Sequence, residues 1–297
     1  MNTVICIGNA TWDQTFSVSA TQMAATKCYA QAFSVNGGGV AATAAVAIAD
    51  AGESVEFIGR IGQDMVGTQI TKELEAHGVN ISHCLCYPHA QSSIATIILS
   101  DDQSLKNYIY NDPNMPKDTS SLFDIDLTHV SAIVADLTWP EGAKVLFERA
   151  KQHGIPSFLR VSFFDNTLIE LFELADCCVF NHPSLLAMTS DINHRKALTK
   201  ATRRVGGSAV VTLAQRGCAW LYNDTYGQLP TEEINIVDTT GAGDIFIGIL
   251  AMLIGKGVEV EKSLATANHI ATLSCEFMGA RQLSQSPQAQ EILKAAR

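Results

Sequence analysis

The sequence predicts a doubly wound α/β fold, in which helices cover both faces of a mostly parallel sheet and a small β lid lies over one edge. Three observations support this prediction. Short apolar runs alternate with segments of helical length, two groups of more polar strands interrupt that alternation, and glycine-rich turns lead from strands into helices. Alternating strands and helices are typical of a parallel sheet with right-handed crossovers.

The elements of the main sheet follow in chain order. Residues 3–7 form a continuous apolar run, which is typical of a strand buried on both faces. Further strands are expected over residues 55–58, 132–135, 156–161, 177–180 and 209–213. Asp64 is a suitable N-cap for a helix that runs to His77 and ends at Gly78. Further helices are expected over residues 40–51, 140–152 and 167–174, after Pro183, and over 242–254 and 260–277, with a hairpin at 218–221 and 226–229.

The polar strands lie in residues 12–35 and 82–110, and the second group comprises 82–86, 93–99 and 107–110. We expect both groups to form the lid, because they do not fit the alternation of the main sheet and a lid at its edge can exclude water from a site. The chain shows no repeat or linker, so residues 1–297 are expected to form a single domain.

Composition excludes several classes of function. The 297 residues are 47% hydrophobic, which excludes disorder, and their net charge of −10 disfavours binding to nucleic acid or to an anionic membrane. The longest apolar run, residues 245–254, is too short to cross a bilayer. The chain opens without a signal sequence, and its eight cysteines lack zinc-site spacing, which favours reduced thiols and a cytoplasmic location.

The most informative motif is Ile-Val-Asp-Thr-Thr-Gly-Ala-Gly-Asp at residues 236–244, followed by an apolar helix. Gly241 and Gly243 allow a tight turn that brings unpaired amides to a helix N-terminus, which is a site for an anion such as a phosphoryl group. Asp244 lies beside that site and is suited to accept a hydroxyl proton. The alternative is a plain strand-to-helix turn, in which Asp244 only favours the helix dipole.

Residues 238–246, Asp-Thr-Thr-Gly-Ala-Gly-Asp-Ile-Phe, resemble the C-terminal signature of the ribokinase (PfkB) family of carbohydrate kinases. The glycine run 37–39 with the alanine-rich segment after it, the Gly-x-x-Gly-x-Asp-x-x-Gly stretch at 59–67, and residues 210–217 resemble other motifs of that family. The resemblance covers nearly the whole chain. It implies a Rossmann-like, ribokinase-like fold and an ATP-dependent sugar kinase that requires Mg²⁺.

The resemblance also implies roles for individual residues. Asp244 would be the catalytic base, and the amides of Gly241, Ala242 and Gly243 would form the anion hole. Asp13, Gly38 and Gly39 would contact the sugar, although a loop cap and a glycine N-cap also explain these three residues. The residues implied on the ATP side are Asn181, Thr212, Gly217 and Asn268, for which structural roles in a strand, a turn or a helix are the alternatives.

Some positions depart from the family pattern. Thr43 stands where ribokinase-like members carry Asn, Ala214 replaces a frequent glycine, and Ser184 replaces a Glu that helps to hold Mg²⁺. The sequence looks closest to sulfofructose kinases, in which Lys27 and Asn111 would match sulfonate-binding positions. Thr138, however, stands where that subgroup has the Arg best suited to an oxyanion. A neutral ketose or another sugar derivative is at least as consistent, and Lys27 also fits a solvated strand.

We therefore expect transfer of the γ-phosphate of ATP to a primary hydroxyl of a ketose-like, ribose-like or sulfofructose-like acceptor. The resemblance also suggests that a monovalent cation such as K⁺ binds near Asp238 and Thr240. The lid suggests that the protein forms a homodimer. The alternatives are a nucleoside kinase of the same fold and a sugar-binding regulatory module without turnover. A dehydrogenase is disfavoured because the first strand lacks a full Gly-x-Gly-x-x-Gly.

Overall fold

Two β-sheets of unequal size organise the chain in the computed structural model, which describes residues 2–22, 26–102 and 105–296. Within these residues the strands, in chain order, are β1 (Thr3–Gly8), β2 (Thr11–Val18), β3 (Ala32–Gly38), β4 (Ser54–Gly62), β5 (Leu85–Tyr87), β6 (Ser93–Ser100), β7 (Leu105–Tyr110), β8 (Val130–Ala135), β9 (Ser157–Val161), β10 (Cys177–Asn181), β11 (Ser208–Thr212), β12 (Cys218–Tyr222) and β13 (Thr225–Leu229).

Most of the helices lie between these strands, as the predicted alternation requires, and the last three follow β13. They are α1 (Val40–Asp50), α2 (Met65–Ala76), α3 (Pro140–His153), α4 (Ile169–Leu174), α5 (His182–Thr189), α6 (His194–Thr202), α7 (Ala242–Gly255), α8 (Val260–Ser274) and α9 (Pro287–Ala296). The Asp64 side chain caps α2 as predicted, accepting from the Gly67 amide at 2.7 Å. Two helices, α6 and α9, were not predicted. Among the described residues, no helix has the length and apolar character needed to span a membrane.

The large sheet has nine strands in the order β13-β12-β11-β10-β9-β8-β1-β4-β5. The strands from β11 to β5 are parallel, and β12 and β13 add an antiparallel hairpin at one edge. The chain builds outwards from β1 in one direction through β4 and β5, and in the other direction from β8 to β11. The order of strands therefore reverses between β1 and β8.

Both faces of the large sheet are buried, which explains why most of its strands are rich in apolar residues. Successive side chains of a strand point to opposite faces. Val4 and Cys6 of β1 therefore join one hydrophobic cluster with α1, α7 and α8, whereas Ile5 and Ile7 join another cluster with α3, α4, α5 and α6. The predicted doubly wound architecture is confirmed.

The smaller sheet has four strands in the order β3-β2-β6-β7, and we call it the small sheet. Its first two strands come from the predicted segment 12–35, and the other two come from 93–110. The strand expected at 82–86 is an exception, because the structure forms β5 at Leu85–Tyr87 and pairs it with β4 in the large sheet. That part of the lid prediction is wrong: three half-exposed residues at a sheet edge have the same polar pattern as a lid strand.

Candidate active site

A crevice opens at the carboxyl ends of β1 and β8, where the order of the large sheet reverses. In open α/β sheets this is the position at which ligands bind, because the loops that follow the two strands separate in opposite directions. Asn9 follows β1 and Thr138 lies just beyond β8. The Asn9 side chain also donates to the Asn111 side-chain oxygen at 3.1 Å, which joins this edge to the segment after β7.

A cavity of about 310 Å³ lies between this edge of the large sheet and the small sheet. It contains many of the residues that the sequence predicted for the sugar site and for the catalytic turn. They are Asp13, Gly38, Gly39, Asn111, Asp238, Thr240, Gly241 and Asp244. Side chains that were not predicted from the sequence also line the cavity, among them Asn9, Thr15, Asn36, Ile97, Asn107, Ile109 and Phe163.

The glycine turn before α1 lets two backbone segments approach closely. Gly39 has φ +87°, and a Cβ at this position would lie 2.5 Å from the carbonyl oxygen of Asn9. A Cβ on Gly38 would clash with the Asp13 carboxylate. Glycine is therefore required at position 39 by the packing against the backbone after β1, whereas a side chain at position 38 would have to displace the Asp13 carboxylate, whatever contact these residues make with a ligand.

Asp13 projects from β2 towards the cavity. Its carboxylate accepts a short hydrogen bond from the Thr11 hydroxyl, at 2.5 Å. Burial raises the pKa of Asp13; the Thr11 hydrogen bond and the charge of Arg281 oppose that shift, and the charges of Glu73 and Asp244 add to it. A partly desolvated carboxylate in this position is a strong acceptor for ligand hydroxyl groups.

Asp136, directly after β8, holds the ends of three elements together. One carboxylate oxygen accepts from the backbone amides of Asn9 at 2.9 Å and Ala41 at 3.2 Å, and the other accepts from the Thr138 amide at 2.8 Å. The residue is only 2% exposed. Asp136 therefore fixes the floor of the crevice, a role that its place in an apolar segment did not reveal.

The turn before α7 has the form expected from its glycines. Gly241 has φ +75° and is the N-cap of α7, and the Asp238 carboxylate accepts from the amides of Thr240 and Gly279, both at 2.9 Å. The Ala242 amide donates to the Thr239 carbonyl at 3.3 Å. Among the described residues, the amides of Gly241 and Gly243 have no acceptor, so these two remain available to an anion at the positive end of the helix.

Asp244 lies in the first turn of α7, with its side chain 18% exposed at the cavity wall. Arg160 of β9 donates from Nε to Oδ1 of Asp244 at 3.1 Å. Burial raises the pKa of Asp244, the guanidinium of Arg160 opposes that shift, Asp136 adds to it and Arg281 lowers it. Arg160 was not predicted as a site residue, because its partner Asp244 lies 84 residues away in the sequence.

A second buried arginine supports the cavity wall at Gly38. Arg281, which follows α8, donates to Oε1 of Glu73 at 2.8 Å, to the Thr43 hydroxyl at 2.8 Å and to the Gly38 carbonyl at 3.2 Å. Its side chain is 4% exposed. Thr43, which replaces the Asn of ribokinase-like sequences, is therefore bonded to an arginine that also holds the glycine turn.

The residues expected on the ATP side do not line the cavity. Asn181 caps α5, accepting from the Ser184 amide at 2.8 Å, and Thr212 is its neighbour across β10 and β11. Gly217, with φ +83°, opens β12. The Asn268 side chain is buried in α8 and donates to the Pro230 carbonyl at 2.8 Å. Asn181 and Thr212 thus lie at the carboxyl ends of β10 and β11, on the same edge of the sheet as the end of β9, whereas Asn268 packs against a loop.

Lys27, expected beside a sulfonate, lies outside the cavity wall. Its side chain is exposed, and Nζ lies 5.2 Å from the centre of the Tyr29 ring. Ser184, at the position of the expected Glu, donates its hydroxyl proton to the Val161 carbonyl at 2.7 Å. Within the described ranges, no three His, Cys, Asp or Glu side chains are grouped to hold a metal ion.

Comparison with known proteins agrees with this geometry. The family model of the pfkB family carbohydrate kinases matches residues 1–287. The chain belongs to the pfkB family. This pfkB protein is thus a sugar or nucleoside kinase by family, and the resemblance inferred from its motifs is confirmed at that level. None of the comparisons supports a placement in the sulfofructose kinase subgroup.

Individual relatives agree with the family. The bifunctional ribokinase/ribose-5-phosphate isomerase A of Fructilactobacillus sanfranciscensis is 26% identical over 95% of this chain, which spans 54% of that longer protein. A putative ribokinase from Agrobacterium tumefaciens has 25% identity and a TM-score of 0.88, covering 99% of this chain and 97% of its own. The Arabidopsis thaliana ribokinase complexed with ribose and ATP has 21% identity, a TM-score of 0.86, and coverage of 99% and 98%.

Proposed function

We propose that this pfkB protein transfers the γ-phosphate of ATP to a primary hydroxyl group of a neutral sugar. The observation that carries the proposal is that one cavity joins Asp244 and the glycine turn of α7 to Asp13 and the glycine turn of α1. A proton acceptor, an anion-binding helix end and a hydroxyl-binding wall are the parts that phosphoryl transfer to an alcohol requires.

In this reaction Asp244 accepts the proton of the sugar hydroxyl as its oxygen attacks the γ-phosphorus. The free amides of Gly241 and Gly243 face the charge that develops on the transferred group. The Ala242 amide has a smaller part than the sequence suggested, because it already donates to Thr239. Asp13 and the peptide groups around Gly38 and Gly39 bind the other hydroxyls of the sugar.

ATP would lie along the carboxyl ends of β9, β10 and β11, beside Asn181, Thr212 and Gly217, with its γ-phosphate at the turn of α7. This placement is supported by the shared edge of the parallel strands, since Ser162 and Phe163 after β9 already line the cavity. Mg²⁺ would enter bound to the triphosphate and keep much of its water, because the chain has no carboxylate cluster for it within the described residues.

The chemistry of the cavity supports a neutral acceptor. Its described lining includes the amides of Asn9, Asn36, Asn107 and Asn111 but no Lys or Arg side chain. An anionic sugar would have to approach the carboxylates of the cavity without a cation facing it there, which is unfavourable. A ketose or pentose with several hydroxyl groups therefore fits better than a sulfonated or phosphorylated sugar.

We also propose that two copies pair through the small sheet. Phe33 and Tyr108 are 57% and 61% exposed. Tyr108 points away from the cavity, since its strand neighbours Asn107 and Ile109 line it, and Phe33 contacts Phe16, the strand neighbour of the lining residue Thr15. A second copy that covers this aromatic face would remove it from water. Sedimentation equilibrium is expected to give twice the chain mass, and a monomer at all concentrations would refute the pairing.

The function is tested by measuring ADP release from Mg-ATP over a panel of ketoses, pentoses, sulfofructose, sugar phosphates and nucleosides. We expect turnover on a neutral sugar, and a loss of about 10²- to 10⁴-fold in Asp244→Asn, because the amide accepts no proton. Asp126→Asn is the matched control, since that carboxylate accepts from the amide and hydroxyl of Thr128 near the surface.

The possible results separate the alternatives. A nucleoside as the best acceptor would contradict the sugar assignment but keep the kinase, and turnover of sulfofructose alone would contradict the argument from charge. Equal activity of Asp244→Asn and wild type would exclude Asp244 as the base. Binding of sugar and ATP without any ADP release would indicate a regulatory module.

A further inference from the structure

Strand β9 carries an arginine in the interior of the large sheet. Its neighbours Phe158, Leu159 and Val161 are fully buried, and the Arg160 side chain is only 8% exposed. Arg160 shares a face with Phe158, which packs in the cluster that contains α7. A buried charge is strongly unfavourable unless it is paired, so the partners of Arg160 indicate why it is there.

The guanidinium of Arg160 is held on three sides. Nε donates to Asp244 at 3.1 Å, and Nη1 donates to the Val179 carbonyl of β10 at 3.2 Å. Nη2 lies against Gly243, where even a Cβ would clash with it. The arginine is thus fixed by its own sheet and touches both the proposed base and one residue of the anion-binding turn.

Arg160 is the one cation with a hydrogen bond to Asp244 among the described residues. The other charged groups that act on Asp244 are Asp136 after β8, Arg281 after α8 and Asp13 of β2. The carboxylates of Asp136 and Asp13 and the burial of Asp244 all disfavour its ionised form. Arg281 favours that form, but it makes no hydrogen bond to Asp244 among the described residues. The direct ion pair is therefore the strongest identifiable support for the charged carboxylate.

We propose that Arg160 is the positioning residue of this active site, which orients the Asp244 carboxylate, keeps it ionised and places a fixed positive charge behind the Gly243 turn. The inference rests on the proposed function. In the step it serves, the sugar oxygen forms a bond to the γ-phosphorus and gives its proton to Asp244. The bond from that phosphorus to the β–γ bridging oxygen breaks, and ADP leaves with the electron pair.

An arginine suits this position better than a lysine. Its planar fork donates to a carboxylate and a carbonyl at once, and it keeps its charge when buried. A lysine would supply the charge without the fixed geometry. Arg160→Lys therefore separates charge from orientation, and Arg160→Met removes both while filling much of the same space.

The experiment measures both variants in two ways. Titration of the side-chain carboxyl carbons by NMR, in protein labelled with ¹³C-aspartate, reports the pKa of Asp244 without any substrate; the signal is assigned from Asp244→Asn. The pH profile of kcat/KM reports the same group during turnover. Arg149→Met is the matched control, because that half-buried arginine donates to two backbone carbonyls, of Leu122 and Ile125, from α3, which packs on the face of the large sheet opposite to α7.

In Arg160→Met we expect the carboxyl titration and the acid limb of kcat/KM to move together to higher pH, by about one pH unit or more. At pH 7 kcat should fall roughly 10²-fold, since a misplaced base loses that much. Arg160→Lys should titrate close to wild type and still lose kcat roughly tenfold, because it keeps the charge and loses the fork. Arg149→Met should change neither the titration nor kcat.

The inference is overturned if the titration of Asp244 in Arg160→Met matches that in Arg149→Met, or if kcat of Arg160→Lys equals that of wild type. A loss of activity in Arg160→Met that is uniform over pH and parallels a loss of stability would also overturn it, since that is the effect of a purely structural residue. If Arg160→Met does not fold, Arg160→Lys tests the proposal alone, because a wild-type pKa of Asp244 together with a lower kcat is expected in that variant. Failure of the proposed function would instead appear as no ADP release in wild type, while the NMR titration still tests the pair.

Discussion

Replacing Arg281 by methionine should destabilise the protein and weaken sugar binding together. The substitution removes three hydrogen bonds, to Glu73, to the Thr43 hydroxyl and to the Gly38 carbonyl. It also leaves the Glu73 carboxylate, whose side chain is 18% exposed, with His77 at 3.7 Å as its remaining basic neighbour. Removing one partner of a buried ion pair is costly because the other charge stays buried without compensation.

The expected magnitude follows from that burial. Breaking a fully buried pair costs about 3–5 kcal/mol, and the partial exposure of Glu73 places this case near about 3 kcal/mol. An unfolding entropy of about 2.1 cal/mol/K per residue converts this to roughly 5 °C in Tm for a chain of this length. Because the Gly38 carbonyl loses its donor, KM for the sugar should rise about tenfold while kcat changes less.

The assay is urea unfolding at constant pH, combined with steady-state kinetics. The double variant Glu73→Gln with Arg281→Met should recover part of the lost stability, since the neutral amide leaves no uncompensated charge. Arg204→Met is the control, because that arginine donates to the Met188 carbonyl and Asn166 on another part of the surface. An unfolding free energy equal to wild type in Arg281→Met, or a double variant no more stable than the single one, would refute this reasoning.

Two further predictions concern single positions. Gly243→Ala should lower kcat roughly 10²-fold, because the new methyl group displaces the Arg160 guanidinium. Gly257→Ala is the control: its added Cβ meets no atom within 4 Å, so kcat should be unchanged. Wild-type activity in Gly243→Ala would contradict the close contact between Gly243 and Arg160. His77→Gln should lower the free energy of unfolding at pH 6 and have little effect at pH 9. The hydrogen bond from His77 to Asp50 raises the pKa of His77, so its stabilisation is complete below the unfolded value of about 6.5 and is lost as pH rises through the folded pKa. Urea unfolding at the two pH values measures this, and an equal loss at both would exclude the charge as the cause.

Local signals account for most of the fold that the sequence predicted. The buried strands were recognised because both faces are covered, and α2 because Asp64 is a genuine N-cap. The sheet to which β5 belongs was not predictable, since three residues at an edge carry no pattern that distinguishes one sheet from another. The short helices α6 and α9 were missed for a similar reason, because their apolar faces are narrow.

The residues of the candidate site, too, were predicted only where the sequence carries a local signal. Asp244 and the turn before it were found because the glycines and the carboxylate are adjacent in sequence. Arg160 and Arg281 were missed because their partners lie 84 residues away at Asp244 and 208 residues away at Glu73. A buried ion pair has no signature in either segment alone, and each arginine by itself is typical of a solvated surface residue.

The contact between Arg281 and the Gly38 carbonyl spans 243 residues, which gives the fold an order in time. At a synthesis rate of about 5–20 residues per second, the ribosome adds Arg281 roughly 10–50 s after Gly38. During that interval the Gly38 carbonyl and the Thr43 hydroxyl lack the guanidinium that holds them in the folded chain. This wall of the cavity is therefore completed late in synthesis, only after Arg281 has been added.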